Sequence, residues 1–124
     1  MDSITIVGMG TSDERQLTLE AADALLHAPR LVLRTAHHGV AAYLKAQGAS
    51  FESLDALYER ADDFETLAEE AADYLEGMLA QGPITYGVPG QGLMEDDTVG
   101  CLVRRGVVAR ILPGLSALDC GTAL

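Results

Sequence analysis

The chain has 124 residues, of which 48% are hydrophobic and 22% are charged, and its formal net charge is −11. This length suits one domain with its own hydrophobic core. The acidity argues against nucleic acid or an anionic membrane as the main partner, because both carry the same sign of charge. No apolar run reaches the roughly 18 residues that a membrane-spanning helix needs, so no such helix is expected.

The cysteines and histidines do not form the pattern of a metal centre or of a disulfide framework. Cys101 and Cys120 lie far apart and outside any CxxC pattern, and the chain starts without the basic segment of a signal peptide. A reducing, cytoplasmic compartment is therefore expected. His27, His37 and His38 have no accompanying cysteine pair, so no metal site is expected.

Short apolar runs bounded by glycine or proline alternate with segments of helical periodicity. The runs predict strands at residues 4–8, 31–33, 50–54, 84–88 and 107–112. The periodic segments predict helices between Thr18 and Pro29, at residues 40–47, 64–79 and 93–105, and after Ser116. Thr18 is a suitable N-cap for the first helix, and Gly48 closes the second. Asp62 and Glu65 have the spacing of a capping box before the third helix.

This alternation gives the element order βαβαβαβαβα. Strands that alternate with helices are typical of a parallel sheet whose two faces are both covered. The sequence therefore predicts an α/β fold with a five-stranded, mostly parallel sheet and helices on both faces. Residues 1–124 show no internal repeat and no linker, so we expect one domain.

Glycine and proline concentrate at the predicted carboxyl ends of the strands, where open parallel sheets bind their ligands. The loops are residues 8–13 after the first strand, 35–39 after the second, 89–92 after the fourth and 113–116 after the fifth. Small residues in such loops let the backbone approach a ligand closely. The sequence therefore predicts a binding site at this edge of the sheet.

Several residues of these loops allow two interpretations. Gly8 and Gly10 begin a dinucleotide fingerprint, but Asp13 stands where its third glycine belongs, which argues against NAD. Asp13 is either a turn former or a catalytic base. His38, like the histidine before it, either starts a helix or belongs to the site. Ser116 is better explained as a helix cap than as a nucleophile, because no GxSxG surrounds it.

Taken in order, these loops resemble those of the tetrapyrrole (corrin/porphyrin) methylases. Residues 7–13, VGMGTSD, and the LT at 17–18 resemble the family's opening motif, VGxGPGD…LT. Residues 113–117, PGLSA, resemble its PGxSS or PGxSA turn. Residues 86–93, YGVPGQGL, stand where the family carries its glycine-rich GDP-type loop.

The resemblance is closer to bacterial proteins that join such a domain to a MazG-type nucleotide pyrophosphohydrolase. These proteins show a similar LRT at residues 33–35 followed by histidine, a similar FESLD at residues 51–55 and a VPG loop. The family has two α/β domains with the cofactor between them, and this chain matches the first. The resemblance thus implies a second methylase domain as a partner, and its closer form also implies a MazG-type domain; the family further implies a homodimer.

The resemblance also implies S-adenosylmethionine as cofactor and methyl transfer to a small heterocyclic acceptor. Matched position by position, it makes Asp13 the catalytic residue. The cofactor-binding residues that it implies are Gly8, Gly10, Thr11, Pro89, Gly90, Gln91, Pro113, Gly114 and Ser116. Residues 11–12, Thr-Ser, replace the family's Pro-Gly, and residues 91–92, Gln-Gly, replace its Asp-Pro.

Two other hypotheses remain open from the sequence. The replaced loop residues motivate a non-catalytic regulatory or assembly module attached to a MazG-type pyrophosphohydrolase. A free-standing flavodoxin-like binder of nucleotides or phosphate needs no second domain, but it leaves the ordered motifs unexplained.

Overall fold

The computed structural model of the protein describes residues 3–10, 17–60, 64–89 and 97–113. The strands are β1 (Ile4–Gly8), β2 (Leu31–Leu33), β3 (Glu52–Ser53), β4 (Ile84–Val88) and β5 (Val108–Leu112). They form one sheet in the order β3-β2-β4-β1-β5, in which all neighbours are parallel. The predicted α/β fold with a five-stranded parallel sheet is confirmed.

Within the described residues, five α-helices connect the strands. They are α1 (Leu19–Leu26), α2 (Gly39–Ala46), α3 (Asp55–Arg60), α4 (Phe64–Met78) and α5 (Asp97–Arg104). The predicted N-cap of the first helix is confirmed, because the Thr18 hydroxyl accepts a hydrogen bond from the Ala21 amide at 3.0 Å. Gly48 follows α2 with a φ of 84°, a left-handed conformation that glycine adopts without strain.

The two faces of the sheet carry separate hydrophobic cores. Successive strand residues point to opposite faces, so Ile4 and Ile6 pack on one face while Val7 packs on the other. Helices α4 and α5 cover the face of Ile4 and Ile6, and α1 and α2 cover the face of Val7. Helices therefore cover both faces, as predicted.

The segment between β3 and β4 differs from the prediction. β3 has two residues instead of five, and a separate helix, α3, follows it where no helix is predicted. α3 has only six residues and none of its side chains is fully buried, so its apolar periodicity is shorter than the roughly 11–18 residues over which a helix is recognised. The long helix ends at Met78, and Leu79–Gln81 continue as one 3₁₀ turn. The capping residue Asp62 and the helix predicted after Ser116 lie outside the described residues.

Candidate functional site

The topology opens a crevice at the carboxyl edge of the sheet beside β4. The chain leaving β1 and β2 passes to α1 and α2 on one face, whereas the chain leaving β4 passes to α5 on the other. Because β4 lies between β2 and β1, adjacent strands send their connections in opposite directions. Ligands of open α/β sheets bind at such a switch point. The candidate crevice therefore lies at the carboxyl ends of β1, β2 and β4, the edge that the sequence predicts.

The end of β1 is fixed tightly against β4. The Met9 amide donates a hydrogen bond to the Val88 carbonyl at 2.7 Å, directly after the last paired residues of the two strands. The next residue, Gly10, has a φ of 76°, in the left-handed region that side chains disfavour. The chain thus turns sharply at the point where β1 reaches the crevice.

His38 connects this turn to the helix α2. Its Nδ1 accepts a hydrogen bond from the Val40 amide at 3.0 Å and so caps the amino end of α2. Its Nε2 lies 3.1 Å from the Gly10 carbonyl oxygen. Since Nδ1 is an acceptor, Nε2 carries the proton of the neutral ring and donates it to Gly10. The interpretation of this histidine as a helix start is confirmed, and its ring also reaches the glycine turn, while its role in the site stays a prediction.

Gly87 closes the floor of the crevice. A Cβ atom at this position of β4 would lie 2.8 Å from Cδ2 of Leu33, 3.0 Å from Sδ of Met9 and 3.3 Å from Cδ2 of Leu25. The Gly87 carbonyl also accepts a hydrogen bond from the Arg34 amide at 2.9 Å, just beyond β2. Only glycine allows the side chains around the strand ends to pack this closely.

Asp55, in the connection after β3, anchors the loop that follows β2. Its carboxylate accepts a hydrogen bond from the Ala36 amide at 2.8 Å, and its side chain is 21% exposed. Burial raises the pKa of this carboxyl, but hydrogen bonds from the side chains of Thr35 and Ser53 and from the Ala36 amide outweigh it and hold the pKa below its usual value. Asp55 is therefore a charged anchor for this loop.

Arg34 and Tyr58 link the same loop to the opposite helical layer. The Arg34 guanidinium carbon lies 4.7 Å from the centre of the Tyr58 ring, within the range of a cation–π contact. The Tyr58 hydroxyl lies 3.1 Å from the hydroxyl of Thr98, a buried residue of α5. The chain leaving β2 is thus tied to β1 through His38 and to α5 through Tyr58.

The predicted site residues divide into those that the structure describes and those that it does not. Gly8, Gly10, Pro89 and Pro113 lie at the carboxyl ends of β1, β4 and β5, which are neighbours in the sheet. The others lie outside the described residues: Thr11, Asp13, Gly90, Gln91, Gly114 and Ser116. Their roles stay predictions.

Asp55 is a residue of this edge to which the sequence analysis assigns no role. It lies two residues after the end of β3 and begins α3, so it belongs to a strand end of the kind that identifies the other loops. The weak third apolar run has no glycine or proline after it, so glycine and proline do not mark this strand end as they mark the other four. The carboxyl-edge rule applied to all five strands would have identified Asp55.

Two cavities lie at the opposite, amino edge of the sheet. Their volumes are about 460 and 260 Å³, and Arg30, Glu52 and Met78 line both. The Arg30 side chain is occupied there, because it donates hydrogen bonds to the carbonyls of Met78 at 2.6 Å and Gly82 at 3.1 Å. These cavities are separate from the crevice.

Two further classes of feature are missing from the described ranges. Residues 3–10, 17–60, 64–89 and 97–113 contain no group of three or more histidine, cysteine, aspartate or glutamate side chains placed to hold a metal ion. Within the same ranges, every helix is too short or too polar to cross a bilayer.

Comparison with known proteins identifies the family. Residues 3–124 match the family of tetrapyrrole (corrin/porphyrin) methylases. The chain belongs to this family. A crystal structure of uroporphyrin-III C-methyltransferase from Thermus thermophilus has the same fold, with a TM-score of 0.70 over the whole of this chain at 20% identity. A second structure of this enzyme, complexed with S-adenosyl homocysteine, covers 97% of the chain with a TM-score of 0.63 and 18% identity.

Curated relatives extend well beyond the matched region. The protein YabN of Bacillus subtilis (strain 168) is 33% identical over 94% of this chain, which corresponds to 24% of its own length. The methyltransferase and cyclic-peptide precursor gymMA1 of Gymnopus fusipes is 28% identical over 95% of this chain and 29% of its own length. The chain thus spans about a quarter of these relatives, and it spans 52% and 48% of the two Thermus structures.

Proposed function

We propose that this chain is the amino-terminal half of an S-adenosylmethionine-dependent methyltransferase that acts on a small heterocyclic acceptor. The observation that carries the proposal is the glycine turn at Gly10, fixed between β4 and His38 at the switch point of the sheet. Two comparisons support it: the family to which the chain belongs, and the complex of the Thermus methyltransferase with S-adenosyl homocysteine.

The described strand ends fit such a cofactor. Gly8 and Gly10 lie at the end of β1 beside β4, where small residues let the backbone approach a ligand closely. The net charge of −11 also suits a cationic sulfonium better than an anionic phosphate group. A ligand held by backbone contacts tolerates changed side chains in its loops, so the residues at positions 11–12 and 91–92 are compatible with binding.

The protein contributes to methyl transfer by positioning the methyl donor and the acceptor. The cofactor, when bound, supplies a methyl group already activated on a sulfonium, so the chain needs no nucleophile of its own. The loops align the acceptor with that methyl group and exclude water from between them. An acceptor that must lose a proton needs a base, and Asp13 is the residue we propose for that step.

We further propose that a second α/β domain of the same polypeptide completes the crevice. This chain covers about half of each Thermus methyltransferase chain, which leaves room for a domain of similar size. A homodimer is part of the same proposal, and it rests on the family resemblance alone.

Calorimetric titration of the full-length gene product with S-adenosyl homocysteine tests the cofactor assignment. We expect saturable binding that Gly10→Ala weakens, because alanine at a φ of 76° strains the turn. Gly48→Ala is the matched control, since it imposes similar strain at a φ of 84° in a position away from the crevice. Absence of binding by the unaltered protein at millimolar ligand would contradict the proposal.

Two observations favour a second function. The family's Pro-Gly and Asp-Pro pairs are replaced at residues 11–12 and 91–92, and the region matched in YabN corresponds to only 24% of that protein's length. These features suit a non-catalytic regulatory or assembly domain attached to a MazG-type nucleotide pyrophosphohydrolase. The test is removal of residues 1–124 from the full-length protein. Unchanged pyrophosphohydrolase rate and oligomeric state would eliminate this alternative.

A further inference from the structure

His38 makes two hydrogen bonds that serve different parts of the molecule. In the first, Nδ1 accepts a hydrogen bond from the Val40 amide at 3.0 Å, at the start of α2. In the second, Nε2 donates to the Gly10 carbonyl at 3.1 Å, which lies 28 positions earlier in the sequence, just beyond the end of β1. We propose that His38 is a positioning residue that fixes the Gly10 carbonyl, and with it the turn at the end of β1, for cofactor binding. The inference rests on the function proposed above.

The helix behind His38 gives it a rigid base. Val40, Ala41 and Leu44 of α2 are all buried in the core shared with α1, so this end of the helix cannot shift without opening that core. The imidazole is planar and has only two rotatable bonds, so it transmits this fixed position to its Nε2 atom. A ring anchored in this way limits where the Gly10 carbonyl can point.

The Gly10 carbonyl controls the direction of the chain into the loop. Gly10 has a φ of 76°, and glycine samples both signs of φ readily, so this residue alone does not fix the turn. A hydrogen bond to its carbonyl selects one orientation of the following peptide group. Gly10 is itself one of the residues that the family resemblance assigns to the cofactor, so its orientation bears directly on binding.

Two substitutions separate the two hydrogen bonds of His38. The Oδ1 atom of asparagine occupies the place of Nδ1, so His38→Asn keeps the cap of α2 and loses the contact with Gly10. The amide nitrogen of glutamine reaches the place of Nε2, so His38→Gln keeps the contact with Gly10 and loses the cap. If His38 is purely structural, His38→Gln should weaken ligand binding more than His38→Asn does. If His38 is a positioning residue, His38→Asn should weaken ligand binding more.

The experiment measures affinity and thermal stability of the full-length gene product in parallel. We expect His38→Asn to raise the Kd for S-adenosyl homocysteine about tenfold, which corresponds to about 1.4 kcal/mol, with little change in Tm. We expect His38→Gln to lower Tm and to bind almost as tightly as the unaltered protein. Ala42→Gly weakens the same helix at an exposed position and serves as the stability control, with an unchanged Kd.

The outcome also distinguishes this inference from the proposed function. If the unaltered protein binds and His38→Asn binds equally well, the positioning role is wrong while the function stands. If the unaltered protein does not bind, the function fails, and amide NMR of Gly8 and Gly10 decides the positioning role separately. Their resonances should move in His38→Asn and stay in place in His38→Gln, and the reverse pattern would overturn the inference.

Discussion

The α1/α2 layer reaches the carboxyl edge of the sheet through His38, whereas the α4/α5 layer is held together mainly by contacts between its own two helices. Arg105, directly after α5, contacts Glu69, Asp73 and Glu76 of α4, each at 2.8 Å. These carboxylates, Glu76 foremost, raise the pKa of the Arg105 guanidinium further above its usual value. The α1/α2 layer contacts the Gly10 turn directly through His38, whereas the α4/α5 layer reaches the loop after β2 indirectly, through Thr98 and Tyr58. We therefore expect changes in the α1/α2 layer to affect ligand binding more strongly than changes in the α4/α5 layer.

The largest expected effect comes from truncating one buried leucine in each layer. Leu44 of α2 and Leu75 of α4 are both fully buried, so Leu44→Ala and Leu75→Ala should each lower the free energy of unfolding by about 2–5 kcal/mol. Only Leu44→Ala should also weaken binding of S-adenosyl homocysteine, because it loosens the helix that carries His38. Denaturant unfolding and calorimetry on both variants check this. Equal losses of affinity would show that the layers are not functionally separate.

Two glycine substitutions, one beside the crevice and one in α4, should change the free energy of unfolding in opposite directions. Gly87→Ala should destabilise the protein by about 1–3 kcal/mol, because its new methyl group would lie 2.8 Å from Cδ2 of Leu33. Gly77→Ala in α4 meets no atom within 4 Å and should stabilise by about 0.5–1 kcal/mol, because alanine favours a helix. Urea unfolding of the two variants measures both shifts. A neutral result for Gly87→Ala would mean that the floor of the crevice is less closely packed than described.

Asp55→Asn tests the anchor of the loop after β2. We expect a loss of about 1–2 kcal/mol in the free energy of unfolding at pH 7, because the ionised carboxylate accepts several hydrogen bonds. The folded-state pKa is lowered, so this stabilisation is complete above the ordinary aspartate pKa and is lost as the pH falls through the lowered value.

Unfolding measured over a range of pH tests whether the ionised carboxylate is the source of this stabilisation. The difference between Asp55→Asn and the unaltered protein should shrink steadily below about pH 4. Asp23→Asn is the control, because this side chain is 77% exposed and its contact with His27 is local to α1. A constant difference across the pH range would exclude the ionised carboxylate as the source of the stabilisation.

The smallest expected effect is that of Arg105→Met. Methionine retains much of the apolar stem and removes the charge, so Tm should fall slightly at low salt. The difference should disappear as salt screens the ion pairs. Arg110→Met is the control, since Arg110 is 60% exposed and its contact with Glu20 is a looser 3.8 Å. Thermal melts at low and high salt measure both changes, and a decrease that salt does not affect would rule out a Coulombic origin.

Elements with a strong apolar pattern were predictable from the sequence. The runs at residues 4–8 and 84–88 match β1 and β4 residue for residue, because both strands are buried between two helical layers. The helix α3 was not predictable in this way. Its residues Leu57 and Tyr58 pack against the core only partly buried, and six residues are too few for a clear periodic signal.

The location of the candidate site at one edge of the sheet was predictable from the sequence, but the contacts within the site were not. Glycine and proline indicate the correct edge because they are the residues that sharp turns after strands require. The reach of His38 to Gly10 and of Asp55 to Ala36 depends on the strand order, which brings residues 28 and 19 positions apart into contact. Sequence spacing alone does not contain that order.

The place of β1 in the sheet has a consequence for synthesis of the protein. β1 pairs with β4 and β5, whose residues follow it by about 80 positions or more. At a translation rate of roughly 5–20 residues per second, the first strand waits about 4–16 seconds before its neighbours exist. During that interval its apolar residues have no sheet to join, so the nascent chain offers an early binding site for chaperones. The sheet then closes around its first strand in one late step.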